Sequence, residues 1–65
     1  MKIGIASDHR GFLMKNRLVQ LIQSLGHSVN DFGPESTDSV DYPDYASRVA
    51  SSVASHAVDR GILIC

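Results

Sequence analysis

The fold is decided by the stretch Lys2-Ile3-Gly4-Ile5-Ala6-Ser7, which runs directly into Asp8-His9-Arg10-Gly11. The residues from Ile3 to Ala6 form an apolar run without polar alternation, as expected of a β-strand that is covered on both faces. The strand then ends in an acid, an imidazole and a guanidinium, which must lie at the rim of a core. α/β proteins bind their ligands at this end of their strands.

The segment after this turn has the periodicity of an amphipathic α-helix. Apolar residues recur at helical spacing and predict a core-facing side made of Met14, Leu18, Leu21, Ile22 and Leu25. The residues predicted to face solvent on the other side are Lys15, Arg17, Gln20 and Gln23. Gly26 follows at a position where helices commonly end with a left-handed residue. We therefore expect a helix over about residues 11 to 25.

A second, more polar strand is predicted after this helix. Residues 27–32 alternate around Val29 and lie between Gly26 and a Gly-Pro pair, which indicates a strand suited to a sheet edge. Residues 33 to 42 are rich in Pro, Ser, Asp and Thr, a composition that forms turns rather than a core. This segment is therefore predicted to be the one long loop of the chain.

A second helix and a third strand complete the chain. Pro43 suits the first position of a helix, and Asp44 beside it favours the positive helix terminus. A stripe of small apolar residues predicts that this helix lies close against a sheet, and it consists of Ala46, Val49, Ala50, Val53, Ala54 and Ala57. Gly61 precedes the apolar run Ile62-Leu63-Ile64-Cys65, which predicts a buried strand.

The predicted order of elements is βαβαβ, and both connections are long enough for helical crossovers. Because such crossovers are almost always right-handed, we expect an α/β fold with a three-layer parallel sheet. A parallel sheet needs cover on both faces, yet no helix follows the third strand. We therefore expect residues 1–65 to be the first half of a single domain, ending at the third strand.

Charge and composition exclude several classes of partner. Six Lys and Arg stand against seven Asp and Glu, and the net charge of -1 gives no general attraction to nucleic acid or to anionic lipid. No apolar run approaches the roughly 20 residues of a membrane span, and no export signal is recognisable, which predicts a cytoplasmic protein. Cys65 is the single cysteine, so no internal disulfide is expected. The three histidines lack metal-site spacing, so no metal site is predicted.

The candidate site lies where the predicted strands end. In a parallel sheet the carboxyl ends share one edge, and a strand order of 2-1-3 brings Asp8 and His9 near Cys65. Structural interpretations stand beside this one: Asp8 as a cap of the first helix, Cys65 as an inert core thiol, and Tyr42 as a hydrophobic staple. The residues for which only packing or a surface position is expected are Tyr45, His27 and His56.

The chemistry of the first turn favours a small anionic ligand. The turn from Ala6 to Gly11 has neither the spaced glycines of a dinucleotide-binding turn nor a P-loop, so close approach to a pyrophosphate is not predicted. It offers charged side chains instead. An acid that binds hydroxyls, next to His9 and Arg10 as cations, suits a sugar phosphate. No cofactor is predicted.

Three motifs extend this interpretation: Ser-Asp-His-Arg-Gly-Phe at residues 7–12, Asp-Tyr-Pro-Asp-Tyr-Ala at 41–46 and Gly-Ile-Leu-Ile-Cys at 61–65. In this order and spacing they resemble the ribose-5-phosphate isomerase B family, which includes galactose-6-phosphate isomerase subunits. The resemblance spans the whole chain. It implies a Rossmann-like sugar-phosphate isomerase domain, a homodimer or tetramer with shared active sites, no metal, and interconversion of ribose 5-phosphate and ribulose 5-phosphate in the pentose phosphate pathway.

The resemblance also implies roles for four residues. Cys65 matches the family's general base, which moves a proton between C2 and C1 of the sugar through an enediolate. Asp8 matches a residue that holds sugar hydroxyls, His9 one that contacts the phosphate, and Tyr42 one that lines the sugar site. Arg10 lies at a variable position of the motif and receives no role.

The family continues beyond the position matched by Cys65. Its later residues include a Thr- and Gly-rich loop that stabilises the enediolate oxygen, a ring-opening histidine and phosphate-binding arginines. We expect the 65 residues alone to be inactive, because loss of oxyanion donors by itself commonly costs about 10²–10³ in rate. The alternatives are a galactose-6-phosphate isomerase subunit, which changes only the sugar, and a non-catalytic phosphosugar-binding or assembly module.

Overall fold

The computed structural model of the chain describes residues 1–34 and 42–65. The elements are β1 (Lys2–Ser7), α1 (Phe12–Ser24), β2 (Ser28–Gly33), α2 (Tyr42–Ala54) and β3 (Arg60–Ile64). The strands form one parallel sheet in the order β2-β1-β3. The predicted α/β class, the βαβαβ order and the strand order 2-1-3 are therefore confirmed. The bounds of β1, α1 and β2 agree with the predicted ones within one residue, and β3 begins two residues earlier. α2 ends at Ala54, so Ala57 of the predicted stripe lies beyond it.

β1 is the centre of the fold, since it pairs with β2 along one edge and with β3 along the other. Its residues from Ile3 to Ser7 are all buried, as the uninterrupted apolar run predicts. The chain leaves β1 to one side and later returns across it to the other. Right-handed connections of this kind place α1 and α2 on opposite faces of the sheet, so β1 is covered twice.

The face of the sheet under α2 is built from close contacts to glycine. Gly4 and Gly61 are register partners on neighbouring strands. A Cβ added to Gly61 would lie 2.6 Å from Val49 Cγ1, and one added to Gly4 would lie 3.2 Å from Val58 Cγ2. Both valines are buried. The missing glycine side chains therefore leave the space that the valines fill.

α1 buries a different side from the one that its apolar periodicity predicts. Lys15, expected to face solvent, is 1% exposed, whereas Met14, Leu21 and Leu25, expected in the core, are each more than half exposed. The physical reason is an ion pair. Lys15 Nζ lies 2.9 Å from Asp31 Oδ1, and a buried ammonium is tolerated when it is paired and hydrogen-bonded. The predicted core face of this helix is wrong at these positions.

Two further predictions of burial are only partly right. β3 is predicted to be a buried strand, but Leu63 is 44% exposed, because β3 is an edge of the described sheet and α1 packs over β1 and β2 instead. In the small-residue stripe of α2, Val49 is buried, whereas Ala50 and Ala54 are exposed. A single apolar stripe does not tell how wide the covered surface is.

The remaining predictions concern the polar parts of the chain. β2 is an edge strand, as predicted, and Gly26 has a φ of 91°, the left-handed conformation expected after the first helix. His56 is exposed just beyond α2, as expected of a helix-end residue. Most of the predicted loop from 33 to 42 lies outside the described residues. Neither α1 nor α2 is long and apolar enough to cross a membrane.

Candidate functional site

The carboxyl ends of β1 and β3 meet at one edge of the sheet. Ser7 is the register partner of Ile64, and the Asp8 backbone N–H donates a hydrogen bond to the Ile64 carbonyl oxygen over 3.0 Å. Cys65 is the next residue of the chain. The backbone therefore brings the turn from Asp8 to Gly11 beside the segment that carries Cys65, which agrees with the arrangement predicted from the strand order.

Asp8 closes the turn that leads into α1. Asp8 Oδ1 accepts a hydrogen bond from the Gly11 N–H over 2.8 Å, and the Asp8 carbonyl oxygen accepts from the same N–H over 3.2 Å. Gly11 is the N-cap residue of α1, so Asp8 fixes the residue before the helix and does not cap first-turn amides. Among the described residues, Asp8 Oδ2 has no hydrogen-bond donor. One oxygen of this carboxylate therefore shapes the turn, and the other is available to a ligand hydroxyl.

His9 is half-buried in the same turn. Its ring atom Nδ1 is shielded from solvent and has no hydrogen-bond partner in the part of the chain that the structure describes. A buried polar atom without a partner raises the free energy of the folded state, so a site of this kind favours a bound group that completes the hydrogen bond. Arg10, the next residue, is exposed.

The other two predicted site residues are Cys65 and Tyr42. Cys65 is a free, exposed cysteine at the end of the described residues, and its role as a site residue and its role as a core thiol both stay predictions. Tyr42 is the first residue of α2, but its side chain lies outside what the structure describes, so its role in the site and its role as a staple both stay predictions. Tyr45, one turn later, packs as expected: its Cε1 lies 2.7 Å from the position of a Cβ at Gly33.

A cluster at the end of β2 was missed by the sequence interpretation. Lys15 Nζ donates to both carboxylate oxygens of Asp31 over 2.9 Å and to the Pro34 carbonyl oxygen over 2.6 Å. Asp31 Oδ1 also accepts the Gly33 N–H over 2.9 Å, and the Phe12 ring centroid lies 5.2 Å from the ammonium. The sequence contains one signal for this cluster, because helical spacing places residue 15 on the same side of α1 as residues 18 and 22.

The edge of the sheet is an open surface. No enclosed pocket is found within residues 1–34 and 42–65, and no three His, Cys, Asp or Glu side chains of these residues are grouped as metal ligands. The groups that are present are a carboxylate, an imidazole and a thiol from two strand ends. This set can bind hydroxyls and an anion and can move a proton.

The known proteins that the chain resembles include several named ribose-5-phosphate isomerase B. The chain is 47% identical over 64 residues to ribose-5-phosphate isomerase B of Escherichia coli, covering 98% of this chain and 43% of the relative. It superposes on the Clostridium thermocellum ribose-5-phosphate isomerase B with a TM-score of 0.98 and 48% identity, covering 100% and 44% of the two chains. The Mycoplasma genitalium enzyme, solved with bound ribulose-5-phosphate, gives a TM-score of 0.90 and 39% identity, covering 98% and 43%.

These relatives are more than twice as long as the chain, which matches their N-terminal halves and spans about 44% of their length. The family profile described as Ribose/Galactose Isomerase matches residues 3–65. The match includes all three motifs and both strand ends of the candidate site. The fold, the motifs and the profile agree, and the chain therefore belongs to the ribose/galactose isomerase family.

Proposed function

We propose that the complete protein carrying this sequence is an aldose–ketose isomerase that interconverts ribose 5-phosphate and ribulose 5-phosphate. The observation that carries the proposal is the hydrogen bond from the Asp8 N–H to the Ile64 carbonyl oxygen, which joins the Asp8–Gly11 turn to the segment of Cys65. The relatives named above are isomerases of this sugar phosphate, and one of them binds ribulose-5-phosphate.

The proposed chemistry needs one proton-transfer group. The Cys65 thiolate takes the proton from C2 of the open-chain aldose, which gives an enediolate. The proton then returns to C1 while the hydroxyl proton of O2 is transferred to O1, and the ketose forms with no net change in the protein. The position of Cys65 directly after β3, beside the Asp8–Gly11 turn, supports this role, because a base must lie where the sugar is held.

Asp8, His9 and Tyr42 are proposed to hold the substrate. The Asp8 oxygen that does not close the turn accepts hydrogen bonds from sugar hydroxyls. The half-buried imidazole of His9 donates to the phosphate, which would satisfy a ring nitrogen that has no partner among residues 1–34 and 42–65. Tyr42, at the start of α2, is proposed to line the sugar site.

Residues 1–65 are proposed to be the N-terminal part of a single isomerase domain in a cytoplasmic homodimer or tetramer whose active sites are shared between subunits. The oxyanion loop, the ring-opening histidine and the phosphate-binding arginines of the family lie outside this sequence. Their absence is expected to abolish turnover by a polypeptide of residues 1–65 alone. Measurable isomerisation of ribose 5-phosphate by that polypeptide would contradict this expectation.

The decisive experiment is replacement of the proposed base in the complete protein. Cys65→Ala is expected to lower kcat for ribose 5-phosphate by about 10²–10⁴, the usual contribution of a positioned acid–base group. Ser51→Ala, on the exposed side of α2, is the matched control and should leave kcat unchanged. Circular dichroism verifies that both variants fold. Retained turnover in folded Cys65→Ala would contradict the base assignment. Absence of turnover in the unsubstituted complete protein would instead favour a non-catalytic phosphosugar-binding module.

A second candidate function is supported by the family description, which covers galactose as well as ribose isomerases. A galactose-6-phosphate isomerase subunit would use the same proton transfer on a sugar one carbon longer. Parallel assays of the complete protein with ribose 5-phosphate and galactose 6-phosphate distinguish the two functions. We expect a higher kcat/KM for ribose 5-phosphate, and the reverse ratio would assign the galactose substrate.

A further inference from the structure

We propose that Lys15 is a positioning residue for the reaction: its ammonium fixes the Asp8–Gly11 turn relative to the chain segment that leaves β2. This inference rests on the proposed function, because the Asp8–Gly11 turn carries Asp8 and His9, which are proposed to hold the substrate. Lys15 does not contact substrate in this proposal. It acts through the backbone on either side of the site.

Stability alone does not explain the buried ammonium of Lys15. Lys15 is 1% exposed, and its three N–H groups match three oxygen acceptors from Asp31 and Pro34. Removing an ammonium from water costs several kcal/mol, and replacement of such a pair by apolar residues is often neutral or stabilising. The pair therefore favours a function in fixing geometry, for which directional charged hydrogen bonds are suited.

Lys15 is connected to Asp8 through the backbone of Gly11. The Lys15 backbone N–H donates to the Gly11 carbonyl oxygen over 2.8 Å, and the Gly11 N–H is held by Asp8 Oδ1 over 2.8 Å. Two hydrogen bonds thus lead from Lys15 to the carboxylate proposed to bind sugar hydroxyls. His9 lies inside the same turn. A shift of the first turn of α1 therefore moves both substrate-binding side chains.

The Lys15 side chain is connected to the end of β2. The ammonium binds the Pro34 carbonyl oxygen directly, and it binds Asp31, which in turn holds the Gly33 N–H over 2.9 Å. One side chain therefore connects the start of α1 with the end of β2.

The test uses Lys15→Met in the complete protein, because Met keeps about the length of the aliphatic part of the lysine side chain and removes the ammonium. A displacement of about 1 Å in substrate-positioning groups costs up to 10²-fold. We expect kcat/KM for ribose 5-phosphate to fall by about 10- to 100-fold, with a raised KM. The matched control is Arg17→Met, an exposed cation on the same helix, which should leave kcat and KM unchanged.

A lower melting temperature with unchanged kcat and KM would overturn the proposal, because that result assigns Lys15 a purely structural role. If Lys15→Met does not fold, Asp31→Asn replaces it as the test, since this change weakens the pair and keeps the side-chain shape. In Asp31→Asn we then expect kcat/KM to fall as well, by a smaller factor than in Lys15→Met. Unaltered kinetics in folded Asp31→Asn would overturn the proposal.

A measurement independent of turnover separates this inference from the proposed function. Amide hydrogen exchange at Gly11 and Gly33 should be faster in Lys15→Met than in Arg17→Met, because both amides belong to the connected hydrogen bonds. Equal exchange in the two variants would overturn the positioning role. If the unsubstituted protein does not turn over ribose 5-phosphate, the proposed function fails, and the exchange result alone then decides whether Lys15 couples the two segments.

Discussion

The two faces of the sheet are held by different physical means. Under α2, valines fill the space left by Gly4 and Gly61, so this face depends on shape. Under α1, a buried ammonium is bound by oxygens at the end of β2, so this face depends on charge and direction. One sheet is therefore covered by close packing against glycine on the α2 side, whereas on the α1 side an ion pair at the end of β2 joins the helix to the sheet.

The largest effect is expected from disturbing the face that depends on shape. Gly61→Val should lower the free energy of unfolding by about 3 kcal/mol, at the upper end for overpacking, because the new Cβ would meet Val49 Cγ1 at 2.6 Å. Urea unfolding of the complete protein measures it. In a Val49→Ala background the loss caused by Gly61→Val should shrink by more than half, and additive effects of the two substitutions would contradict the proposed clash.

A smaller effect is expected on the face that depends on charge. Asp31→Ala should destabilise the protein by about 2 kcal/mol, because it leaves the Lys15 ammonium buried with the Pro34 carbonyl as a partner. The estimate is below the range for fully buried pairs since the Asp31 side chain is 39% exposed. Thermal unfolding of Asp31→Ala, Lys15→Met and the double variant measures the coupling.

The double variant should recover most of the stability lost in Asp31→Ala, because no unpaired ammonium is left. A double variant as unstable as Asp31→Ala would show that Asp31 acts through other contacts, such as its bond to the Gly33 N–H. The face under α1 would then not depend on the Lys15–Asp31 pair.

The smallest effect is expected at the apolar residues of α1 that face outward. Leu21→Gln should change the free energy of unfolding by less than about 0.5 kcal/mol, because surface substitutions are usually within that range and Leu21 is more than half exposed. Leu18→Gln, at a half-buried position of the same helix, is the comparison and should cost more. A loss above 1 kcal/mol in Leu21→Gln would show that another part of the complete protein covers this side of α1.

The sheet could be predicted from sequence because its strands have clear local patterns. The apolar run of β1 and the Gly and Pro residues between elements gave the βαβαβ order, and the shared edge of parallel strands placed Asp8 and Cys65 on one side of the fold. That geometry follows from topology alone. The same reasoning therefore predicted correctly that the Asp8–Gly11 turn lies beside the segment of Cys65.

The face of α1 could not be predicted, because hydrophobic periodicity treats every lysine as a solvent residue. The burial of Lys15 depends on Asp31, which is 16 positions away and becomes a neighbour only after β2 has paired with β1. The exposure of Leu63 likewise depends on what lies beside β3, and not on its own segment. Pair formation across elements is the information that a local pattern does not contain.

The central place of β1 has a consequence for the order of events during synthesis and folding. The Lys2 N–H binds the Asp59 carboxylate 57 positions away, just before β3 begins its pairing with β1. β1 leaves the ribosome before β3, and the edge of β1 that pairs with β3 stays unsatisfied until β3 has emerged. Pairing over such distances requires closure of a long loop, which slows folding. For that interval an apolar strand has an open edge, and this is where we expect a nascent chain to need protection from association.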